Sequence, residues 1–301
     1  MLVYLGLIDS YDLERSMNES QINNLIQQYA KYLNYQQQTL NRIDSILEKD
    51  NYDKRILKCK NDFAKNYARH HFSQSDEDGL TIEINKRIIK GKKKKNTFLE
   101  LGVGTGCENN TLILLAMGWE GSWFGGEELS FDHTISDRLK FQKIFISKEN
   151  IKNIYDKSLL ENKIDHHNLI SIDLDGNDYE IASSILDFKS NPDVFIVEYN
   201  AIFPPQIRWE MTYNEKHTWQ GDSYFGASLA SYVDLFKSYD YFLCACNPST
   251  GANAFFVKNQ YRDLFKDVPE SINDIYMEPN YLVRWKNHWP ISPKLVSSII
   301  S

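Results

Sequence analysis

A short apolar run that ends in three alternating glycines constrains the fold of this chain more than any other feature. Residues 97–101 read TFLEL, and Gly102, Gly104 and Gly106 follow before a helical stretch at 108–118. The run has the length of a buried strand, and the glycines allow a tight turn that a ligand can approach closely. The pattern therefore predicts a strand, a ligand-binding turn and a helix, in that order.

Downstream of this turn, short apolar runs alternate with helical stretches. We predict helices at 108–118, 132–142, 151–160, 177–188 and 225–239, and strands at 97–102, 121–125, 143–147, 168–174 and 194–199. Two late runs, 241–246 and 253–257, read as paired antiparallel strands. This order predicts a three-layer α/β sandwich with a mostly parallel sheet that ends in an antiparallel strand pair.

The N-terminal part has a different pattern. From Ile22 to Leu47 the steps between apolar positions alternate between four and three residues, with Gln36 as the one polar interruption. Such a heptad repeat predicts an N-terminal helical extension that self-associates as a coiled coil, although a helical hairpin would give a similar stripe. We divide the chain into the helical extension (1–66), an α/β domain (67–260) and a C-terminal arm (261–301) without recognisable chemistry.

Composition narrows the class of protein. The chain has 301 residues, of which 42% are hydrophobic, and a formal net charge of −7. The acidic balance argues against nucleic acid as a partner. Apolar runs are shorter than the ~20 residues that span a bilayer, and the N-terminus lacks the basic segment of a signal peptide. We expect a cytoplasmic protein with no membrane span.

Three classes of ligand bind to glycine-rich turns, and the spacing of the glycines distinguishes between them. A phosphate-binding P-loop requires a lysine after the last glycine, and none follows Gly106. A dinucleotide fingerprint has the spacing G-x-G-x-x-G, whereas here the third glycine comes one residue early. With Glu100 on the preceding strand, the turn resembles motif I of class I S-adenosylmethionine-dependent methyltransferases. The resemblance implies a Rossmann-like fold and a cofactor held by Glu100, Gly102, Gly104 and Gly106.

In that family the second and third strands complete the cofactor site. A carboxylate after the second strand accepts hydrogen bonds from the ribose hydroxyls, and here two acids, Glu127 and Glu128, follow the Gly125–Gly126 pair. We favour Glu127. The third strand would end near Ser147, where the adenine edge is contacted.

Acidic side chains gather after the fourth and fifth predicted strands. Asp173 and Asp175 follow one strand, Glu198 and Asn200 end the next, and the carboxyl ends of adjacent parallel strands face one crevice. Oxygen-only ligands of this type suit Mg²⁺ or another divalent cation. The segment Asp173–Tyr179 also resembles the fourth-strand motif of metal-dependent catechol-type O-methyltransferases. That resemblance implies a metal site of Asp173, Glu198 and Asn200, with Asp173 also close to the cofactor.

A wider set of motifs resembles FkbM-like methyltransferases, which bacteria often carry in surface-polysaccharide loci. The set comprises SQSDEDG at 73–79, the glycine turn, GWEG at 118–121, IDLDGNDY at 172–179, VEYNA at 197–201, GDSYFGASL at 221–229 and GANAFFV at 251–257. It implies further cofactor contacts from Gln74 and Asn110. Residues that could take part in catalysis as bases or acids are Asp173, Asp175, His217 and Asp222. Residues that could contact the substrate that accepts the methyl group (the acceptor) are Tyr199, Asn200, Trp219 and Tyr224. Asn253 could orient a polar acceptor.

These features favour an S-adenosylmethionine-dependent O-methyltransferase that acts on a glycan, nucleotide-sugar or capsule precursor, with possible help from a divalent cation. Two alternatives stay open at this point. One is a nicotinamide-dependent oxidoreductase. The other is a non-catalytic partner protein in which the N-terminal helix acts and the site is vestigial.

Overall fold

The computed structural model describes residues 19–89, 95–281 and 288–300. The apolar start of the chain lies outside the described residues. By its internal contacts the chain divides into two compact units, residues 1–54 and 55–301. The functional division at residues 66 and 260 remains a prediction.

The first unit contains most of helix α1 (Glu19–Lys58). Side chains of the predicted heptad repeat are exposed, with values of 55% for Ile26, 46% for Leu33 and 54% for Leu40. Gln36 donates a hydrogen bond to the hydroxyl of Tyr32 one turn earlier, at 2.7 Å. The side chains of Ile43 and Leu47 lie outside the described part of the helix. The helix is confirmed, and its self-association stays a prediction.

The second unit is built on a seven-stranded sheet with the order β3-β2-β1-β4-β5-β7-β6. Its strands are β1 (Thr97–Leu101), β2 (Glu120–Gly125), β3 (Leu139–Lys143), β4 (Leu169–Ile172), β5 (Val194–Glu198), β6 (Tyr241–Cys246) and β7 (Asn253–Lys258). Strands β1 to β5 pair in parallel, whereas β7 runs antiparallel to both β5 and β6. The predicted mostly parallel sheet with an antiparallel pair is confirmed.

Helices flank this sheet and complete the three-layer α/β fold. They are α2 (Asp62–Tyr67), α3 (Glu77–Ile88), α4 (Leu112–Ala116), α5 (Ile151–Asn162), α6 (Asp178–Asp187), α7 (Leu229–Ser238), α8 (Ile272–Ile275) and α9 (Pro293–Ile300). Strands β1 and β4 are buried along their whole length, because helices cover the sheet. The strand order reverses between β1 and β4, and in open α/β sheets ligands bind at the carboxyl ends of the strands beside such a reversal.

The prediction is wrong around the third strand. A helix was expected at 132–142 and a strand at 143–147, but β3 occupies Leu139–Lys143 and residues 144–147 form a loop. Apolar Leu139 and Phe141 alternate with polar Lys140 and Gln142, which is the period of a strand. The strand lies at the sheet edge and is only partly buried, so its hydrophobic signal is weak.

Within the three described ranges, every helix is too short or too polar to cross a membrane.

Candidate functional site

A cavity of about 910 Å³ opens at the carboxyl ends of the parallel strands, beside the reversal in strand order. Thirteen of the residues predicted from the sequence line it: Gln74, Glu100, Gly102, Gly104, Gly106, Asn110, Glu127, Asp173, Asp175, Glu198, His217, Trp219 and Asn253. Five predicted residues are not among its lining: Ser147, Tyr199, Asn200, Asp222 and Tyr224. The fold therefore brings the glycine turn and the acidic side chains of β4 and β5 to one site, whereas their chemical roles remain predictions.

The glycine turn packs directly against the end of β4. Gly102 has a φ of +91°, and a Cβ atom built on it would lie 1.5 Å from the carbonyl oxygen of Asp173. Only glycine adopts this conformation and allows this approach without displacing the backbone. The absence of a side chain at Gly102 thus places the turn and Asp173 side by side.

The carboxylate of Glu100 holds the start of the helical region that follows the turn. It accepts hydrogen bonds from the backbone amides of Asn110 (2.9 Å) and Thr111 (3.2 Å) and from the Thr111 hydroxyl (2.5 Å). Glu100 is buried at the back of the cavity, and this burial raises its pKa to about 7. A large part of its hydrogen-bonding capacity therefore serves to shape the turn.

The two glutamates after β2 differ in their surroundings. Glu128 forms an ion pair with Lys143 of β3 at 3.1 Å, and its side chain is 74% exposed. Glu127 lines the cavity. This placement supports the choice of Glu127 as the acid next to a bound ligand.

The loop after β3 supplies apolar side chains to the cavity, and sequence reasoning missed them. Ile144, Phe145 and Ile146 line the cavity, and Phe145 is 52% exposed. Ser147 follows directly, but its backbone amide donates to Asn150 at 2.9 Å in the turn that starts α5. The third strand was predicted to end at residue 147, but β3 ends at Lys143. The apolar residues that follow β3 therefore line the cavity, whereas Ser147 does not.

Three carboxylates meet at the ends of β4 and β5, and we call them the acid triad: Asp173, Asp175 and Glu198. Each offers one oxygen, and the three oxygens lie within 4.8 Å of one another. Burial and then the neighbouring carboxylates raise the pKa values of Asp173 and Glu198 well above their ordinary range. Asp173 and Glu198 are half-buried and Asp175 is exposed. Carboxylates this close are stabilised by a cation between them or by sharing protons.

The turn that carries Asp173 and Asp175 is held by a residue that the predictions did not include. Asp178 at the start of α6 accepts hydrogen bonds from the amides of Leu174 (2.6 Å) and Gly176 (2.8 Å). Asp178 is fully buried, and burial raises its pKa to about 6. Its signal in the sequence is an aspartate at a helix start, directly after a glycine-containing turn.

Asn200, which was predicted to be a metal ligand, holds the backbone of a nearby loop instead. Its side-chain nitrogen donates to the carbonyl oxygens of Ser223 (2.9 Å) and Phe225 (3.1 Å). Asn200 is not among the residues that line the cavity, whereas Asp175 is. The adjacent Tyr199 is fully buried and donates to the carbonyl oxygen of Met277 at 3.1 Å, away from the cavity lining.

The loop between β5 and α7 carries two further candidates, Asp222 and His217, of which only His217 lines the cavity. Asp222 accepts a hydrogen bond from the Tyr224 amide at 2.9 Å and stabilises the loop. His217 lines the cavity and lies against Gly176, where a Cβ atom would be 2.2 Å from the His217 ring carbon Cδ2. Burial lowers the pKa of His217, and its Nε2 atom is buried without a hydrogen-bond partner among the described residues. A neutral imidazole in this position can accept a proton.

Aromatic side chains from two distant parts of the chain form one side of the cavity. We call Trp219, Tyr281 and Trp289 the aromatic wall. The rings of Trp219 and Trp289 meet edge to face at 4.6 Å, and Tyr281 stacks on Trp289 at 6.3 Å. The C-terminal arm was expected to carry no recognisable chemistry, and two of its residues, Tyr281 and Trp289, line the cavity.

Comparison with known proteins gives fold-level similarity only. No protein-family model matches the sequence, and no curated protein matches it. Among solved structures, a fibrillarin/Nop5p complex aligns with 13% identity over 58% of this chain and 80% of that chain, with a TM-score of 0.32. The MycE methyltransferase of mycinamycin biosynthesis, in complex with Mg and SAH, aligns with 14% identity over 66% of this chain and 54% of that chain, at 0.40.

A third structure is CalO1, a methyltransferase in calicheamicin biosynthesis in its SAH-bound form. It aligns with 14% identity over 60% of this chain and 55% of that chain, with a TM-score of 0.32. The chain thus spans about half the length of the MycE and CalO1 chains. At these identities and scores, function has to be argued from the site itself.

Proposed function

We propose that this protein is an S-adenosylmethionine-dependent methyltransferase. The observation that carries the proposal is the single cavity that joins the glycine turn to the acid triad at the strand reversal. In this placement the methionyl part of the cofactor lies over Gly102–Gly106. The ribose hydroxyls bind Glu127, and the adenine packs against the apolar loop after β3.

The charge of the cavity favours this cofactor over a nicotinamide dinucleotide. Its lining includes six acidic side chains: Glu100, Glu108, Glu127, Asp173, Asp175 and Glu198. S-adenosylmethionine carries a sulfonium, an ammonium and a carboxylate group, so its net charge is positive, whereas a dinucleotide carries two negative phosphates. Since like charges in a partly buried site repel strongly, the acidic lining disfavours the dinucleotide.

Isothermal titration of the full-length protein with S-adenosylhomocysteine tests the proposal. We expect micromolar binding, and folded protein that does not bind would refute it. A thermal-shift response to NAD(H), with none to S-adenosylmethionine, would favour the oxidoreductase instead.

We further propose that the reaction is O-methylation. The acceptor oxygen attacks the methyl carbon in line, the S–CH₃ bond breaks with its electron pair on sulfur, and the hydroxyl proton passes to a base. His217 suits the role of base because its unpartnered Nε2 faces a buried setting next to Asp175. A divalent cation at the acid triad would lower the pKa of the acceptor hydroxyl.

The aromatic wall supports a carbohydrate acceptor. Indole and phenol rings offer flat apolar faces with polar edges, which match the C–H faces and hydroxyls of a sugar. A glycan, nucleotide-sugar or capsule precursor, as expected for an FkbM-like enzyme, therefore stays our proposal for the acceptor. Incubation with a panel of nucleotide sugars and S-adenosylmethionine, followed by mass spectrometry, would identify the methylated product.

A second copy of the chain is the proposed partner of helix α1. The exposed heptad positions Ile26, Leu33 and Leu40 support this, since a coiled-coil partner would cover them.

A further inference from the structure

Asn253, which the sequence suggested as a residue that could orient a polar acceptor, lines the cavity. It is the first residue of β7 and lies directly opposite Glu198 in the antiparallel pairing of β5 with β7. Side chains at directly opposite positions project from the same face of a sheet and are neighbours. Both residues line the cavity, and Asn253 is only 4% exposed.

The orientation of the Asn253 amide is set by a buried glutamate. Its nitrogen donates to Glu77 Oε1 at 3.1 Å, and the same oxygen accepts hydrogen bonds from Asn247 (3.0 Å) and the Ser75 hydroxyl (2.8 Å). Glu77 itself is fully buried at the start of α3. Because the carboxylate accepts hydrogen bonds, it binds the NH₂ end of the amide and leaves the carbonyl oxygen for another partner.

Two acceptor atoms, one on Asn253 and one on Glu198, lack a hydrogen-bond partner among the described residues. Asn253 Oδ1 and Glu198 Oε2 are both buried, and neither has a hydrogen bond within the described ranges. Buried polar atoms are nearly always paired in folded proteins. These two oxygens require a proton on Glu198, other hydrogen-bond donors or a cation.

The acid triad favours the cation. Oxygens that coordinate one ion at 2.0–2.6 Å lie at most about 5 Å apart, and the triad oxygens lie within 4.8 Å of one another. We infer that Asn253, positioned by Glu77, supplies a neutral fourth oxygen to a divalent cation held by Asp173, Asp175 and Glu198. This inference rests on the proposed methyltransferase function, and it assigns to β7 the asparagine ligand that we had expected after β5.

A neutral ligand has a chemical consequence. A fourth carboxylate would cancel more of the cation's charge and weaken its pull on an acceptor hydroxyl, whereas an amide oxygen completes the ligand set without added charge. A six-coordinate ion with four protein oxygens would keep two positions for water or the acceptor. The chemistry of the donor set is that of Mg²⁺, Mn²⁺ or Ca²⁺.

Mn²⁺ binding, followed by electron paramagnetic resonance on EDTA-stripped full-length protein, tests the inference without any acceptor. We expect one Mn²⁺ site in the wild type and at least about tenfold weaker binding in Asn253→Ala. The matched control is Asn109→Ala, which removes another buried, unpartnered asparagine oxygen from the same cavity, at the glycine turn. Its Mn²⁺ affinity should stay within about twofold of the wild type.

A second pair of measurements separates the possible failures. Asn253→Leu keeps the size of the side chain and replaces Asn253→Ala if that variant does not fold. Glu77→Gln should weaken Mn²⁺ binding, because the Asn253 amide loses the carboxylate that orients it. No Mn²⁺ binding by the wild type, or equal affinity in either folded Asn253 variant, overturns the inference. Titration with S-adenosylhomocysteine in EDTA reports on the proposed function separately, and it should be unchanged in Asn253→Ala.

Discussion

At the residue scale, Gly102 and Gly104 of the same turn have different requirements for glycine. A Cβ atom on Gly102 would overlap the carbonyl oxygen of Asp173, whereas nothing lies within 4 Å of one on Gly104, which has a φ of +48°. Gly102→Ala should therefore lower the free energy of unfolding by about 3 kcal/mol or more, and Gly104→Ala by about 1 kcal/mol.

Urea unfolding of both variants, followed by circular dichroism, measures this difference. Gly104→Ala should fold and yet bind S-adenosylhomocysteine more weakly, because its new methyl group projects into the cavity. Equal destabilisation of the two variants would contradict the close packing of the turn on β4.

His167 is the second residue for which the structure makes a quantitative prediction. It is fully buried, its Nε2 lies 2.9 Å from the Ser158 hydroxyl, and burial, followed by nearby His166, lowers its pKa to about 3. The unfolded chain, with a histidine pKa of about 6.5, binds a proton that the folded state excludes. Below pH 6.5 the free energy of unfolding should fall by about 1.4 kcal/mol per pH unit from this group, until about pH 3.

Denaturation at pH 6.5 and pH 5.0 tests this. Between these values the wild type should lose about 2 kcal/mol more than His167→Gln. Exposed His70 provides the control, since His70→Gln should keep the wild-type dependence. Identical pH dependence in the wild type and His167→Gln would show that His167 does not cause the effect.

At the scale of elements, burial decided which predictions were successful. Strands β1, β4 and β5 are almost fully buried, so uninterrupted apolar runs revealed them. Strand β3 lies at the edge, where alternating Leu139 and Phe141 resembled a helix face.

The aromatic wall was not predictable, because Trp219 and Trp289 meet only through the tertiary fold. Likewise, the orientation of Asn253 depends on Glu77, a residue 176 positions away.

Helix α1 carries the prediction that belongs to a single element. If its heptad repeat forms a coiled coil, Leu33→Glu with Leu40→Glu places like charges in the seam and should reduce the molar mass in solution to that of a single chain. Tyr35→Glu with Gln38→Glu adds the same charge to the opposite face of the helix and should leave the mass unchanged.

Light scattering coupled to size-exclusion chromatography measures both double variants. A wild type with the mass of one 35.2 kDa chain would disprove self-association through this helix. Cofactor binding serves as the folding control, since the cavity lies within residues 55–301.

At the scale of the whole molecule, a chain of formal net charge −7 concentrates several of its carboxylates in one cavity. Burial raises the pKa of Glu100 to about 7, and burial also raises the pKa of Asp175. Glu100 loses its proton around pH 7, so the cavity becomes more negative between pH 6 and pH 8. A ligand with a positive charge at the sulfonium position should gain affinity over this range, relative to one without it.

Sinefungin, which carries an amine at that position, and S-adenosylhomocysteine, which carries an uncharged thioether, form the matched pair of ligands. In EDTA, the ratio of the S-adenosylhomocysteine Kd to the sinefungin Kd should rise by about three- to tenfold from pH 6 to pH 8. Asp175→Asn removes one carboxylate of the acid triad and should lower the ratio at pH 8. A ratio that stays constant or falls with pH would mean that these carboxylates lie too far from the reacting centre to select for the sulfonium charge.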